Sequence, residues 1–476
     1  MTDAAPGRRP LVLKAFRGLR YSPALVSDLA SVTSPPYDTL DDDAIAALEA
    51  AEPYNIVRII LPRPSKHPAH SGAATDVGAA QRPAATPRNR AFPDVRADES
   101  RYDHARDLFI QWRREGVVVP DDTPALYVYE QDLDLTVPLQ EHSAHVQDAT
   151  WRRSSPSDRT QRRVVLRGLL GAVALRAYDE QVILPHEDVL PGPVGDRLAL
   201  MRACAANFEP ILLAYDGDGQ ASALVDAATT AEPLVDALAP DGTGHRIWRL
   251  DDPAHLAAIA ADLAPRQALI ADGHHRYAAY LRLQAERHAG GAGEGPWDNG
   301  LALLVDHRAH PLELRAIHRL VTGLSMQDVA DRVAPQVEVL AYGGDSSAAR
   351  QAIADCQGAA HGFLLTDGSA WMLLRVSLRG KQTSDTPSAL DTEILHGLIL
   401  GHLLRIPEDR IRYVHDAGSA IQAARADEDT VAVLLNPVDL TRVQQVARHG
   451  GRMPRKSTSF GPKPRTGFVM RSFDEG

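Results

Sequence analysis

The sequence predicts an α/β fold, and three observations support that class. Short apolar runs with strand composition alternate with longer segments of helical periodicity through the middle of the chain. The composition, 44% hydrophobic and 24% charged residues, is typical of a globular protein and not of a disordered chain. A length of 476 residues exceeds what one ordinary core accommodates, so we expect two or three domains.

The expected elements are taken in chain order. Two strand-like runs, "ALYVYEQDL" and "VVLRGLLGAVAL", flank a long polar connection, and we interpret them as a hairpin. Strands and helices then alternate as "EPILLAY", "HLAAIAADLA", "QALIA", a helix from about His275, and "LALLVD". This alternation predicts an α/β lobe.

Past Val321 the alternation begins again, with a strand at "VEVLAY" and a helix near "SAARQAIADC". A hairpin, "HGFLLTDGSAWMLLRV", is expected to turn at Asp367 and Gly368. Asp391 is expected to be the N-cap of the helix "TEILHGLILGHLL", and "TVAVLL" predicts one more strand.

We expect two lobes, 1–325 and 326–476, the second being a C-terminal α/β lobe that carries a basic loop. The segment 63–100 is rich in Pro, Ala, Gly and Ser, so it cannot bury enough apolar surface to offset its ordering entropy. We predict a flexible insertion there. The polar tract 139–161, between the two hairpin strands, is expected to be a second one.

Charge and composition narrow the functional classes. A net charge of -11 argues against a protein that coats nucleic acid, so any anion site must be concentrated locally. Only Cys204 and Cys356 are present, which makes a disulfide framework unexpected and favours a reducing compartment. The first residues contain no apolar signal core, and no run approaches the ~20 apolar residues of a membrane span. We therefore expect a cytoplasmic protein without membrane partners; the oligomeric state is not predicted.

The stretch "ALIADGHHRYAAY" concentrates Asp272, Gly273, His274, His275 and Arg276 between an expected strand and an expected helix. A helix start favours anions, glycine permits close approach of a ligand, and arginine can bind phosphate through two donors. We therefore predict a phosphate site. An aspartate cap with solvated histidines is the structural alternative, and a metal site is weaker because adjacent helical residues diverge by about 100°.

A second stretch, "ILPHEDVLPGPVGDRL", places His186 and Glu187 at the end of an apolar run. A carboxylate beside an imidazole could act as a general base. The same residues could form an ordinary loop in which Arg197 pairs with one of the acids. The second histidine of a zinc-protease helix is missing.

The segment from Arg448 to Arg471 contains seven Lys and Arg residues and no acid. Glycines and prolines interrupt it and prevent a regular helix. Because the cations are interrupted and lack an aromatic stacking array, a phosphate-binding loop is favoured over a DNA patch. A solvated basic tail is the alternative.

Two smaller features are Tyr37 and Asp38 in "SPPYDTL", and His318 and Arg319 in "AIHRLV". Each could bind a charged ligand or be structural. The sequence contains no G-x-x-x-x-G-K-[ST] loop, no protein-kinase catalytic loop and no G-x-G-x-x-G fingerprint. A phosphate-binding enzyme of this sequence would therefore use neither common nucleotide cradle.

The stretch "IADGHHR" resembles the signature of the ParB/sulfiredoxin-like superfamily, whose members present an Asp-Gly-His-x-Arg type turn to phosphate groups. Within that superfamily, the set "FRGLRY", "SPPYD", "YNIVRIILP", "ILPHE", "IADGHHRY", "AIHRLV" and "MPRKSTSFGPKP" is similar to a family catalogued as a domain of unknown function, whose members include pyrophosphate-dependent serine kinases. The resemblance implies a ParB/sulfiredoxin-like mixed α/β catalytic lobe. It also implies phosphoryl transfer from inorganic pyrophosphate to free L-serine, giving O-phosphoserine and phosphate.

Under this hypothesis the turn at Asp272 holds one phosphoryl group, the basic loop closes over the other, and Mg²⁺ bridges them through Asp272. Glu187 is the expected base for the serine hydroxyl, with Asp272 as the alternate. The expected catalytic residues are Glu187, Asp272 and His274. The expected substrate-binding residues are Gly273, His275, Arg276, His186, Tyr37, Asp38, His318, Arg319, Lys456, Ser457, Thr458 and Lys463.

Two other functions stay open. The first is a small-molecule serine kinase that uses ATP or ADP as the donor. The second is a ParB-like nucleotide- or DNA-binding protein without turnover, against which stand the acidic net charge and the lack of an evident helix-turn-helix. A nuclease is a poorer choice.

Overall fold

The structure, a computed structural model, describes residues 8–63, 100–134, 162–377 and 390–475. The insertions expected at 63–100 and 139–161 lie outside the described residues, apart from Arg63 and Ser100 at the ends of the first.

The strands of the described chain are short to medium in length. In order they are β1 Leu13–Lys14, β2 Leu19–Tyr21, β3 Val118–Pro120, β4 Leu126–Asp134, β5 Arg162–Ala174, β6 Ile183–Leu184, β7 Ala206–Asn207, β8 Ile211–Tyr215, β9 Val235–Leu238, β10 Gly244–Leu250, β11 Ala268–Asp272, β12 Asn299–Asp306, β13 Glu313–Arg315, β14 His318–Thr322, β15 Glu338–Gly343, β16 Ala360–Thr366, β17 Trp371–Ser377, β18 Ile411–Val414, β19 Thr430–Leu435, β20 Ser459–Gly461 and β21 Arg471–Ser472.

The helices alternate with these strands. They are α1 Asp42–Ala51, α2 Val57–Ile60, α3 Ser100–Arg114, α4 Pro191–Cys204, α5 Gln220–Ala228, α6 Pro253–Leu263, α7 His274–Ala289, α8 Met326–Val333, α9 Ser346–Asp355, α10 Asp391–Glu393, α11 Ala417–Ala426 and α12 Leu440–Arg448. A π-helix, Ile394–Leu403, continues α10. The α/β fold class predicted from the sequence is confirmed.

The chain divides into two compact units. Unit 1 comprises Met1–Pro185, Val189–Leu312 and Pro462–Gly476, and unit 2 comprises His186–Asp188 and Glu313–Gly461. The lobes expected at 1–325 and 326–476, and the ParB/sulfiredoxin-like character of the first, stay predictions.

Within the described part of unit 1, the main sheet has the strand order β6-β11-β8-β12-β5-β4-β10-β9, and β1 pairs with β5. The pairs β6–β11 and β8–β12 are parallel and the remaining pairs are antiparallel. Strands β4 and β5 form the antiparallel pair that the hairpin prediction required. Ile211, Ile270 and Leu304 of the sheet share a buried cluster with Tyr277 and Tyr280. This packing fixes α7 against the sheet.

The main sheet of unit 2 has the order β15-β17-β16-β19-β14-β18, and all its described pairs are antiparallel. Successive side chains of a strand point to opposite faces. Phe363 therefore packs in the cluster that includes α8 and the π-helix, whereas Leu364 packs with α9 and α11. By the same alternation, Arg319 and His318 belong to opposite faces.

The hairpin of β16 and β17 turns as predicted, because the Asp367 carboxylate accepts hydrogen bonds from the backbone N–H groups of Ser369 and Ala370.

The N-cap predicted at Asp391 is wrong. Leu390 precedes the first helical residue, and the Glu393 carboxylate accepts the Leu390 N–H at 2.8 Å. Asp391 is 2.6 Å from Nδ1 of His361 instead.

Cys204 and Cys356 are buried and not disulfide-bonded, and burial raises the pKa of the Cys204 thiol to about 12. No helix in the described ranges combines the length and the apolar character needed to cross a membrane.

Candidate functional site

The turn from β11 to α7 begins the candidate site of unit 1. β11 ends at Asp272, after a bulge in its pairing with β8, and α7 begins at His274. Gly273 between them has φ 94° and ψ 28°, a left-handed conformation that side chains disfavour. A Cβ there would lie 2.8 Å from Cγ2 of Ile211. The glycine therefore permits both the sharp turn and the close packing of α7 on β8.

Asp272 is bound by two cations from distant parts of the chain. Its Oδ2 accepts a hydrogen bond from Nη2 of Arg276 at 2.5 Å, and its Oδ1 lies 2.7 Å from Nζ of Lys463. Burial raises the pKa of Asp272, but the Lys463 ammonium and the Arg276 guanidinium outweigh burial and lower it overall. The carboxylates of Asp272 and Asp38 in turn raise the pKa of Lys463 above its usual range, although burial alone would lower it. All three groups are therefore charged at neutral pH.

Lys463 also binds Asp38, at 2.5 Å from Oδ2. The predicted residues Asp38, Asp272, Arg276 and Lys463 thus form one ion cluster within unit 1, which we call the Asp272 cluster. Its formal charge is zero, since two carboxylates face two cations.

Tyr37 lies beside this cluster. The guanidinium of Arg197 is 4.3 Å from the centre of its ring and that of Arg276 is 5.9 Å away. Burial raises the pKa of the Tyr37 hydroxyl well above its ordinary value, so the ring stays neutral. Arg276 is anchored further by a 2.6 Å hydrogen bond from Nη1 to the carbonyl of Pro210.

Arg197 corrects one interpretation of the sequence. Its partners are Asp196, at 2.5 Å, and Glu209, at 3.2 Å, both in unit 1, and not an acid of the segment "PHED". All three side chains are buried. Glu209 was missed in the sequence because the surrounding "NFEPILLAY" reads as a plain strand entry.

His274 and His275 open α7, with His274 buried and His275 half-buried. The expected Mg²⁺ ligand, Asp272, fits a dication poorly in this arrangement, because two cations already contact its two oxygens. Among the described residues, no group of three or more His, Cys, Asp or Glu side chains is placed to hold a metal ion.

In unit 2 the segment containing His186 and Glu187 joins the basic loop. The backbone N–H of Met453 donates to the carbonyl of His186 at 2.7 Å, and Glu187 forms a bridge with Met453. Nε2 of the buried His186 lies 2.9 Å from Oγ1 of Thr458. Three predicted residues from two separate motifs, His186, Glu187 and Thr458, are therefore close together in this unit.

Lys456 has φ 61°, a left-handed conformation in a residue other than glycine. Its N–H donates to Oε1 of Glu187 at 3.0 Å, and its carbonyl accepts from Nη2 of Arg319 at 3.0 Å. The Lys456 side chain is exposed. The charged side chains of Glu187 and Arg319 thus hold both backbone groups of this left-handed residue. We call residues 454–458 the strained turn.

Arg319 is fully buried, and in the described residues no carboxylate lies within ion-pair distance of it. Its donors reach the carbonyls of Ile317 and Lys456 and Nε2 of His396, which lies at 3.1 Å. Burial lowers the pKa of Arg319 to about 10. His396, on the π-helix, was not among the sequence candidates, and π-helical turns are often found at functional sites.

The other face of β14 carries His318, whose Nδ1 accepts the backbone N–H of Leu435 at 3.3 Å. Burial, with a smaller contribution from Arg319, lowers the pKa of His318 to about 4. His318 is therefore neutral at pH 7 and hydrogen-bonded within its own sheet.

The chain is thus an α/β protein whose sequence candidates form two charged clusters, one in each unit. A family model described as "Protein of unknown function (DUF1015)" matches residues 13–86 and 154–393, well over half of the chain. The chain belongs to this family. No curated protein matches it.

Three solved structures with weak similarity are a mutant free serine kinase in complex with ADP, SbnI with a C-terminal truncation from Staphylococcus aureus, and a conserved hypothetical protein from Pyrococcus furiosus. The kinase is 14% identical, with 62% of this chain and 87% of that chain covered and a TM-score of 0.33. SbnI is 10% identical, with coverages of 61% and 82% and a TM-score of 0.32. The third is 16% identical, with coverages of 62% and 90% and a TM-score of 0.31. Similarity at this level does not define an activity.

Proposed function

We propose that this chain is a phosphotransferase that moves a phosphoryl group from inorganic pyrophosphate to free L-serine, giving O-phosphoserine and phosphate. The observation that carries the proposal is the convergence of Arg276 and Lys463 on Asp272 at the start of α7. Arg276 is buried and Lys463 is 19% exposed, and both lie beside a helix N-terminus, the part of a helix that favours anions. The ordered motif resemblance described above supplies the donor and the acceptor.

Electrostatics explain why such a cluster suits pyrophosphate. Unit charges a few ångströms apart repel by several kcal/mol at an effective dielectric near 20, so a polyanion needs cations already in place. Phosphoryl transfer is catalysed mainly by positioning and charge stabilisation. In the proposal, Gly273, His274, His275 and Arg276 position one phosphoryl group.

The cluster also suggests how Lys463 becomes available. The Asp38 side chain is 37% exposed, whereas that of Asp272 is 14% exposed. Exposed ion pairs contribute little, about 0–1 kcal/mol, so exchanging the carboxylate of Asp38 for a phosphoryl oxygen costs little. Asp272 stays in place and keeps Lys463 and Arg276 oriented.

In unit 2, Lys456 and Thr458 are the proposed phosphoryl contacts, with His186 and Arg319 as further binding residues. In unit 1, Tyr37 is a further binding residue. Ser457 and His318 are hydrogen-bonded within unit 2 and receive no substrate role. Glu187 is favoured over Asp272 as the base, because the lowered pKa of Asp272 makes that carboxylate a weak proton acceptor.

The direct test is phosphorus NMR of the full chain with pyrophosphate and L-serine, in parallel samples with and without Mg²⁺. We expect O-phosphoserine and phosphate to appear as pyrophosphate disappears. Matched samples with ATP or ADP distinguish the donors. If none of the three donors yields O-phosphoserine, the proposal is wrong.

Lys463→Ala tests the role of the Asp272 cluster. Hydrogen bonds to charged groups contribute about 1.5–3 kcal/mol, so we expect the KM for pyrophosphate to rise about tenfold or more. The control is Lys14→Ala, since Lys14 is an exposed residue of β1. An unchanged KM in the Lys463 variant would show that this lysine does not bind the donor.

A further inference from the structure

Three hydroxyl side chains follow one another at the end of the strained turn, and their surroundings differ. Ser457 is buried, donates to the carbonyl of Pro454 at 2.6 Å and contacts Oγ1 of Thr392 at 2.9 Å. The Ser457 hydroxyl is therefore held in place by the protein, and its proton is donated to a backbone carbonyl. Ser457 has the surroundings of a structural hydroxyl.

Thr458 differs from Ser457 in its burial and in its hydrogen-bond partner. It is half-buried, and its Oγ1 lies 2.9 Å from Nε2 of a fully buried histidine, His186. A hydroxyl within hydrogen-bond distance of an imidazole is the geometry of an activated nucleophile and its base. The ring of Phe460, 5.5 Å from that of His186, packs edge-on against it and limits its rotation.

Ser459 provides the internal comparison. Its hydroxyl lies 3.1 Å from Nδ1 of His415, which is exposed, although Ser459 is half-buried like Thr458. Water reaches an exposed imidazole and competes for the hydroxyl proton. Of the three adjacent hydroxyls, only Thr458 combines partial exposure with a buried imidazole.

The backbone before Thr458 carries an independent sign of function. Left-handed residues other than glycine are strained and persist where the surrounding structure holds them, often at active sites. Lys456 is held in this way by Glu187 and by Arg319, both far away in the sequence. Arg455 and Lys456 are exposed cations next to Thr458, so phosphoryl oxygens at its hydroxyl would meet positive charge.

We propose that Thr458 is a phosphoryl acceptor of the enzyme itself, with His186 as its base. This inference rests on the proposed function for its phosphoryl donor. It deepens that function, because the transfer would pass through a phosphothreonine and not directly from pyrophosphate to serine.

The two half-reactions balance. In the first, Oγ1 of Thr458 attacks one phosphorus of pyrophosphate, Nε2 of His186 takes the hydroxyl proton, and the bond to the bridging oxygen breaks to release phosphate. In the second, the serine hydroxyl attacks the phosphothreonine while Glu187 takes its proton. Oγ1 of Thr458 leaves and recovers a proton from His186, and Glu187 then releases the serine proton to solvent.

The test uses the full chain, pyrophosphate and Mg²⁺ without serine. Mass spectrometry of the quenched protein should show the addition of one phosphoryl group, and peptide mapping should place it on Thr458. Unlabelled pyrophosphate and radioactive phosphate should exchange label without serine, because the first half-reaction is reversible. This exchange is measured on the unaltered protein, so it does not depend on how a variant folds.

Variants separate the roles. Thr458→Val keeps the shape of the side chain and should lose both the label and the exchange, whereas Thr458→Ser should retain them. His186→Gln should slow labelling about 100-fold or more, the usual contribution of a general base. Ser459→Ala and His415→Gln alter the neighbouring hydroxyl–imidazole pair and should label at the rate of the unaltered protein.

The outcomes also distinguish this inference from the proposed function. Serine phosphorylation without label on Thr458, or at an unchanged rate in Thr458→Val, would overturn the inference and leave the serine kinase standing. Label on Thr458 without O-phosphoserine would uphold the inference and reject serine as the acceptor. Neither label nor O-phosphoserine would overturn both.

Discussion

The two charged clusters each depend on a left-handed residue, and the chain obtains that conformation in two ways. In unit 1 the residue is Gly273, with φ 94°, which has no Cβ to oppose it. In unit 2 it is Lys456, with φ 61°, whose N–H and carbonyl are held by Glu187 and Arg319. The first turn is specified locally, whereas the second is imposed by tertiary contacts.

The clusters differ in charge balance as well. The cations of the Asp272 cluster face carboxylates, which raise the pKa of Lys463 above its usual value. Arg319 is surrounded by carbonyls and an imidazole, and burial lowers its pKa to about 10. The charges of the Asp272 cluster in unit 1 therefore neutralise one another, whereas holding the strained turn in place lowers the stability of unit 2.

The largest expected effect is that of Gly273→Ala. Its Cβ would lie 2.8 Å from Cγ2 of Ile211, in a left-handed conformation that costs about 1–2 kcal/mol in an alanine. With the added overpacking we expect a loss of about 2–4 kcal/mol in the free energy of unfolding, measured by urea denaturation. Gly116→Ala is the control, because Gly116 has φ +74° and nothing within 4 Å of its Cβ position. Equal losses in the two variants would show that contact with β8 is not what excludes a side chain at Gly273.

The second prediction concerns acid stability, and it involves unit 2. His318 has its pKa lowered from 6.5 to about 4 by burial and Arg319, with Asp416 opposing and with His415 and Arg350 adding small repulsions. Between these values the unfolded chain binds a proton that the folded chain does not, so stability falls as pH falls from 6.5 towards 4. The loss reaches up to about 3 kcal/mol, since each pKa unit corresponds to about 1.4 kcal/mol.

His318→Gln should flatten this pH dependence, and hydrogen exchange at pH 7 and pH 5 should locate the weakening in β14 and β19. Asp272 provides the contrast in unit 1. Its pKa is lowered, so its contribution is present above the ordinary value of 3.8 and is lost only as pH falls below it. An unchanged pH profile in His318→Gln would contradict the buried neutral histidine.

Local patterns in the sequence predicted the β11–α7 turn well. The apolar run, Gly273 and the helical periodicity after His274 are neighbours in the chain, so their physical consequences are readable there. The placement of Lys463 beside Asp272 was not readable, although both were candidates. It depends on the chain re-entering unit 1 at Pro462, which no short-range pattern encodes.

Unit 2 shows the same limit more strongly. The conformation of Lys456 arises from contacts with residues far away in sequence, and its own segment carries no glycine at that position. The helix after Asp391 was predicted, but not its π-helical form or the contact of His396 with Arg319. The N-cap prediction failed because Asp391 is already the first helical residue and its carboxylate contacts His361. The Leu390 N–H is bound by Glu393.

The smallest expected effect isolates the strain at Lys456, because two substitutions there remove the same exposed side chain. At an ordinary helix or strand position alanine is more stable than glycine by roughly 0.5–1 kcal/mol. At a left-handed position the order reverses, since alanine keeps the steric cost of about 1–2 kcal/mol and glycine does not. Lys456→Gly should therefore be more stable than Lys456→Ala by up to about 1 kcal/mol in urea denaturation, against the usual direction. A result in the usual direction would mean that Glu187 and Arg319 hold a relaxed turn, and the contrast with Gly273 would no longer stand.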